Sequence, residues 1–291
     1  MGQSEGDDGC GVSELTEELV DAPIGKLQVF RGGSGPQLVY LHSAGGEAVL
    51  PVLEALASDH EVVVPVFPGF GESEGIEAID GMEDAVFHLL DVWELLDLDR
   101  PAVLGLSLGG WMALELCTRH PDRVSRLVLV NPVGLHLDDA PIAEMFGRPP
   151  GELAEMLFFD QEHPVAVAMH AMGEFAGDVG RDTEIPLELV LPMWKSISAT
   201  ARLGWDPYLH NPKLRGRLHR VRVPSLVIAG ADDGLVPTAV PETIAAELPD
   251  ARFVLVERAG HMLPLEQPAE LARLVREFLA GSETAEAITG S

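Results

Sequence analysis

The 291-residue chain has no run of 18 apolar residues, so no transmembrane helix is expected. Its start, Met1 to Asp8, lacks the basic-then-apolar profile of a secretory signal, and a cytoplasmic protein is the default expectation. Only two cysteines occur, Cys10 in a Gly-rich head and Cys117 in an apolar helical pattern. Neither has a Cys or His at metal-ligand spacing, so neither a structural disulfide nor a thiolate metal site is expected. Cys117 reads as a buried, inert thiol. Lysine is also scarce, with Lys26, Lys195 and Lys213 alone. With 47 acidic residues against 19 basic ones, the formal net charge is −28. That balance argues against nucleic acid or an anionic membrane as partner, because phosphate contacts need clustered cations. The acidity fits either plain solubility or adaptation to a salty cell interior.

A hydrophobic content of 46% is enough for one substantial core, or a core plus a small accessory domain. Residues 1–13 and 281–291 are small, polar and without periodicity, and read as flexible tails. Between them, short β-rich apolar segments alternate with helical ones. The expected strands are Leu27–Phe30, Leu38–His42, Glu61–Val66, Ala102–Leu106, Arg126–Val130, Ser225–Ala229 and Arg252–Val256. Most are continuous apolar runs, the mark of strands buried on both faces of a parallel sheet. Helices are expected at Ala48–Ser58, Met82–Leu96, Leu108–Arg119, Val240–Glu247 and Pro268–Leu279. The alternation implies an α/β fold with a mostly parallel, doubly wound sheet.

The rhythm breaks once. Residues 134–218 contain no convincing strand but many Met, Phe, Trp, Pro and His residues. An insert of that size is no ordinary loop and reads as several short helices. The natural place for it is above the carboxyl ends of the strands, as a cap over a site. The core is then divided into residues 14–133 and 219–280.

Gly105-Leu106-Ser107-Leu108-Gly109 fits the pattern G-x-S-x-G between the apolar strand Ala102-Val103-Leu104 and a helix beginning Gly110-Trp111-Met112. A sharp strand-to-helix turn lifts the serine hydroxyl clear of the sheet and tolerates only small residues two positions either side. The helix N-terminus places partial positive charge where negative charge develops in acyl transfer. A second match, Gly71-Glu72-Ser73-Glu74-Gly75, lacks both the preceding strand and the following helix. Ser73 is therefore read as part of a loop at the cap entrance, and Ser107 as the nucleophile. Trp111 is expected to pack its helix rather than contact substrate.

A Ser–acid–His chain order places the acid after the strand Ser225–Ala229. There Asp232 and Asp233 compete, and G-x-x-D-x-x-V-P favours Asp233, three residues after Gly230. The base is expected after the next strand, where His261 follows Glu257-Arg258-Ala259-Gly260. Such a His takes the serine proton and returns one to the leaving group, while the Asp holds its tautomer. Glu266 reads as a structural partner of that loop. The loop Ser43-Ala44-Gly45-Gly46 follows Leu38–His42, and the backbone N–H groups of Ala44 and Leu108 are the expected oxyanion donors.

Over roughly residues 25–280 the chain resembles cap-bearing esterases of the α/β-hydrolase superfamily. The matching signatures are LHSAGG, FPGFGES, GLSLGG, GADDGLVP and AGHMLPLEQP, in family order. The resemblance implies an α/β-hydrolase fold, a Ser107-Asp233-His261 triad and a pocket mouth shaped by Phe67–Ser73. Two departures stand out: Ser43 replaces the usual Gly after His, and Val66-Phe67 stands where an acidic residue often precedes Pro-Gly. The His42-Ser43 pair with GLSLGG also resembles enol-lactone hydrolases. A serine nucleophile argues against haloalkane dehalogenases and epoxide hydrolases, whereas a hydroxynitrile lyase would use the same triad. A ring-fission C–C hydrolase shares the triad.

Phe146, Met156, Phe158, Phe159, Met169, Met172, Phe175, Met193, Trp194 and Trp205 are candidates for an apolar pocket ceiling, about half of them as plain cap core. His42, Ser43, Phe70 and Met262 join Phe146, Met172, Trp194 and Trp205 as candidate pocket residues. The expected activity is hydrolysis of a small to medium apolar ester or lactone through an acyl-enzyme, with no metal or organic cofactor. The contrasting class is a slow-turnover ligand receptor built on the same triad. Monomer and homodimer are both compatible with the sequence.

Overall fold

The computed structural model describes residues 14–178 and 187–281, without the side chains of residues 174–178 and 187–190. The readings on Cys10, on the Phe175 side chain and on both tails, Gly281 excepted, lie outside the described residues. Eight strands form one sheet: β1 (Thr16–Ala22), β2 (Gly25–Gly32), β3 (Gln37–Leu41), β4 (Glu61–Pro65), β5 (Ala102–Leu106), β6 (Arg126–Val130), β7 (Ser225–Gly230) and β8 (Ala251–Val256). Their order is β1-β2-β4-β3-β5-β6-β7-β8. The β1/β2 and β2/β4 pairs are antiparallel and the rest parallel.

The continuous apolar strands are sandwiched as their composition requires. Val39, Leu41, Val103, Leu127 and Leu129 belong to one core, and Leu38, Tyr40, Leu104, Val128 and Val130 to the other. Successive side chains point to opposite faces, so a strand covered on both sides must be apolar at every position. The first core is closed by α2 (Met82–Leu95), α3 (Leu108–Arg119) and α7 (Ala239–Glu247), and the second by α1 (Pro51–Leu56) and α9 (Pro268–Ala280). Trp111 of α3 is buried and donates its indole N–H to Glu115 at 3.2 Å. Cys117 is buried as well, and burial pushes its thiol up to about 12, which keeps it protonated.

Two expectations need correction. β1 is an additional strand, unread because TEELVDA is exposed along most of its length. It is held by its backbone ladder to β2, which leaves no apolar pattern in the sequence. The first helix is also shorter than expected, because Leu50 precedes Pro51 and is extended (φ −131°, ψ 146°).

Between β6 and β7 lie α4 (Pro150–Leu157), α5 (Pro164–Asp178), α6 (Leu187–Gly204) and a 3₁₀ turn at Arg215–Arg220. Among the described residues the only extended pairing there is an isolated bridge, Gly134 to His210. The C-terminal end of α4 is tied to the core by its backbone. The Met156 carbonyl accepts the Gly234 N–H at 3.0 Å, and the Leu157 carbonyl accepts the Met262 N–H at 2.9 Å. No helix among the described residues is long and apolar enough to cross a membrane.

Candidate active site

The sheet order makes the place of a site predictable. From β3 the chain crosses to β4 on one side, while β5 pairs on the other side of β3 and leads on to β6. The carboxyl ends of β3 and β5 therefore flank the switch point, where α/β sheets open a crevice. Leu41 is in register with Gly105, so the loop beginning at His42 emerges beside the turn carrying Ser107.

Ser107 occupies that turn with φ 52° and ψ −109°, a conformation L side chains rarely adopt. The main chain is clamped: the Ser107 N–H donates to the Val130 carbonyl at 2.9 Å, and its own carbonyl accepts the N–H of Trp111 at 3.1 Å. The flanking glycines are steric necessities. A Cβ on Gly105 would lie 2.6 Å from the Gly109 carbonyl oxygen, and one on Gly109 would overlap the carbonyl of Leu41. Ser73 is placed quite differently. It is buried, donating to the Val66 carbonyl at 2.7 Å and accepting the Gln28 N–H at 3.0 Å. Its hydroxyl staples the 66–73 loop to β2, and the same loop meets the insert where Lys195 donates to the Gly71 carbonyl.

Asp233 and His261 are brought together. His261 Nδ1 lies 2.7 Å from Asp233 Oδ2, with 3% and 1% of the two side chains exposed. The other carboxylate oxygen accepts the N–H groups of Leu235 and Val236, each at 2.8 Å. With both oxygens engaged, Asp233 has one orientation available. Asp232 points to solvent.

Two further residues fix these loops. Asn131, at the end of β6, is 1% exposed and has φ 43°. Its amide donates to the carbonyls of Gly260 (3.2 Å) and His261 (2.9 Å), and its oxygen accepts the Gly230 N–H at 2.8 Å. Asn131 thus joins the ends of β6, β7 and β8. An Asn directly after an apolar strand was its only signal in the sequence. Glu266, in α8 (Leu263–Glu266), accepts the Gly260 N–H at 2.6 Å and the Asp160 N–H at 2.8 Å, linking the His261 loop to the insert.

The loop after β3 is pinned through Ser43. Its N–H donates to Glu47 Oε1 at 3.1 Å and its hydroxyl to Glu47 Oε2 at 2.9 Å. The Gly45 N–H donates to Ser43 Oγ at 3.0 Å, and the Gly46 N–H to the Ser43 carbonyl at 3.1 Å. Among the described residues, the Ala44 N–H alone of these four has no acceptor. The Leu108 N–H is the first of α3 and has no partner within the helix.

One chamber of about 460 Å³ is lined by Ser107, His261, Ala44, Ser43 and Met262. The insert contributes Met145, Leu153, Leu157, Phe158, Val165, Met169, Met193, Ser196 and Ile197, and the core adds Glu47, Val49, Leu50, Leu235 and Leu265. Six candidate pocket residues do not line it. His42 is buried beneath the loop, its Nδ1 bonded to the Ser43 carbonyl (2.7 Å) and its Nε2 accepting the Phe67 N–H (3.0 Å). Burial lowers its pKa, so it sits there as neutral imidazole. Phe70 is fully buried against the His42 ring. Phe146 packs on Trp205 and Tyr208, away from the chamber. Met172, Trp194 and Trp205 are exposed on the outer side of the insert. Of the other ceiling candidates, Phe158, Met169 and Met193 line the chamber, Met156 packs against the core, and Phe159 lies outside under Arg258. The leucine, valine and isoleucine lining carried no distinguishing sequence signal.

Known proteins share this architecture. The polyketide synthase ThaQ of Burkholderia thailandensis is 28% identical over 280 residues, covering 91% of this chain and 13% of that protein. The chain therefore spans only a small part of that relative. The 2-hydroxymuconate semialdehyde hydrolase of Pseudomonas sp. strain CF600 is 26% identical, covering 94% of this chain and 96% of the relative. The pimeloyl-[acyl-carrier protein] methyl ester esterase of Aromatoleum aromaticum is 29% identical, covering 84% and 99%. Among solved structures, the 2-hydroxy-6-oxo-6-phenylhexa-2,4-dienoate hydrolase of Rhodococcus sp. strain RHA1 superposes with a TM-score of 0.70 at 23% identity, over 92% of this chain and 99% of that one. Its likeness speaks for the fold. The model of the alpha/beta hydrolase family matches residues 38–274, a span that holds the Ser107 turn, Asp233 and His261, and the chain belongs to that family.

Proposed function

We propose that the chain is a serine hydrolase that cleaves small to medium apolar carboxylic esters through an acyl-enzyme. The observation that carries this reading is the buried 2.7 Å contact of His261 Nδ1 with Asp233, in a chamber that His261 shares with Ser107. The Asp233 carboxylate keeps the proton on Nδ1 and leaves Nε2 as base. His261 takes the Ser107 proton as Oγ attacks the ester carbonyl. The N–H groups of Ala44 and Leu108 receive the oxyanion, each supplying about 3 kcal/mol in the transition state. His261 then protonates the departing alcohol, and a water activated by the same imidazole attacks the acyl group and releases Ser107. The helical insert serves as the cap, and its aliphatic lining favours an apolar acyl chain.

The test is steady-state hydrolysis of short p-nitrophenyl esters by wild type and Ser107→Ala. Loss of turnover in the variant supports the reading, and equal turnover overturns it. The relative named for 2-hydroxymuconate semialdehyde favours a second reading, cleavage of a C–C bond on the same residues. Turnover of a ring-fission substrate with none of esters identifies that activity. Enol-lactones belong in the same screen. Stoichiometric labelling without steady-state turnover identifies a slow receptor instead.

A further inference from the structure

We propose that the chamber discriminates by charge, admitting neutral or cationic acyl groups and rejecting those with a free carboxylate, and that Glu47 is the residue responsible. This inference rests on the ester-hydrolase reading. Glu47 lines the chamber on the same loop as Ala44. The Ser43 hydroxyl donates to Glu47 Oε2 while its oxygen accepts the Gly45 N–H. Oε1 accepts the Ser43 N–H and lies 3.4 Å from the Tyr40 hydroxyl. Burial, with Glu47 beside it, raises the Tyr40 hydroxyl well above its ordinary value, so it remains a donor. Both Glu47 oxygens therefore accept, the pattern of an ionised carboxylate.

Against that charge the described lining offers no compensation. His261 is its only other ionisable residue, already paired with Asp233, and no Lys or Arg is among the lining residues described. Lys195 of α6 turns away to the Gly71 carbonyl at 2.8 Å. A carboxylate entering this space loses its hydration, finds no counter-ion and meets a like charge in a low-dielectric setting. An uncharged chain meets a largely apolar wall. Rejection by an unpaired or like charge is a common route to specificity.

The experiment compares three esters of equal acyl length with the full chain: p-nitrophenyl hexanoate, the mono-p-nitrophenyl ester of adipate, and p-nitrophenyl 6-trimethylammoniohexanoate. Wild type is expected to show kcat/KM at least 100-fold lower for the adipate than for the hexanoate, with the cationic ester closer to the hexanoate. Glu47→Gln, which retains an acceptor for the Ser43 N–H, should narrow the hexanoate-to-adipate ratio at least tenfold. Equal use of all three esters by wild type overturns the inference. An unchanged ratio in Glu47→Gln does so as well. If that variant does not fold, wild type still decides, because equal rejection of cation and anion means that apolarity alone selects. The two proposals fail differently. Absent or Ser107-independent hexanoate turnover defeats the hydrolase reading, whereas Ser107-dependent turnover without charge discrimination defeats only this one.

Discussion

The side-chain amide of Asn131 donates to the main-chain carbonyl of His261 at 2.9 Å, across 130 residues of sequence. The same side chain holds Gly230 and Gly260, so one residue ties the loop carrying Asp233 to the loop carrying His261. Asn131→Ala leaves these backbone groups without partners in a buried place. Each orphaned group costs about 1–3 kcal/mol. The variant is expected to unfold at lower urea concentration and to lose ester turnover at temperatures where it remains folded. A wild-type midpoint refutes the bridging role.

The two G-x-S-x-G serines should separate cleanly. Ser107→Ala is expected to lower kcat by about a thousandfold or more while preserving the urea midpoint. Ser73→Ala removes a buried hydroxyl bonded to Val66 and Gln28, and should cost about 1–2 kcal/mol of stability while retaining turnover. The reverse pattern exchanges their roles.

Asp233→Asn keeps the shape of the acid but offers His261 Nδ1 an amide in place of a carboxylate. The imidazole then loses its tautomer preference and the stabilisation of its charged form. A drop in kcat of about 10³–10⁴-fold is expected, with a much smaller change in KM. The exposed neighbour supplies the control: Asp232→Asn should leave both constants near wild type.

Gly109→Ala forces a methyl group against the Leu41 carbonyl of central strand β3, where backbone must move to admit it. A loss of about 3 kcal/mol or more is expected in urea unfolding. At Gly216 the added Cβ meets nothing within 4 Å, and Gly216→Ala is expected to be neutral or slightly stabilising.

His88 is buried beside Phe67, and burial lowers its pKa from 6.5 to about 4. The unfolded chain therefore binds more protons than the native one between these values. Stability is full above pH 6.5, falls as the pH drops toward 4, and is not reduced further by this group below that. The loss amounts to about 3 kcal/mol. His42, lowered in the same direction by burial, adds to it. Urea midpoints at pH 7.5 and 4.5 should differ less in His88→Gln than in wild type, and equal differences refute the assignment.

Local chemistry alone determined much of this protein. Continuous apolar runs identified most of the strands, because a segment buried on both faces has no polar position to give. The glycines around Ser107 announced a turn that only small residues permit, and chain order pointed to Asp233 and His261, two side chains that the fold brings into contact. Folding decided what depends on side chains distant in sequence. β1 is held by backbone bonds and left no apolar pattern. Asn131 acquires its role only when three strand ends converge. Trp194 and Trp205 were the conspicuous pocket candidates, yet packing turned them outward and lined the chamber with leucine, valine, isoleucine and methionine. Glu47, one carboxylate among 47 acidic residues, is distinguished only by the loop that folds around it. Periodicity and turn chemistry act over a few residues, whereas the facing of a side chain is set by segments that meet only in three dimensions.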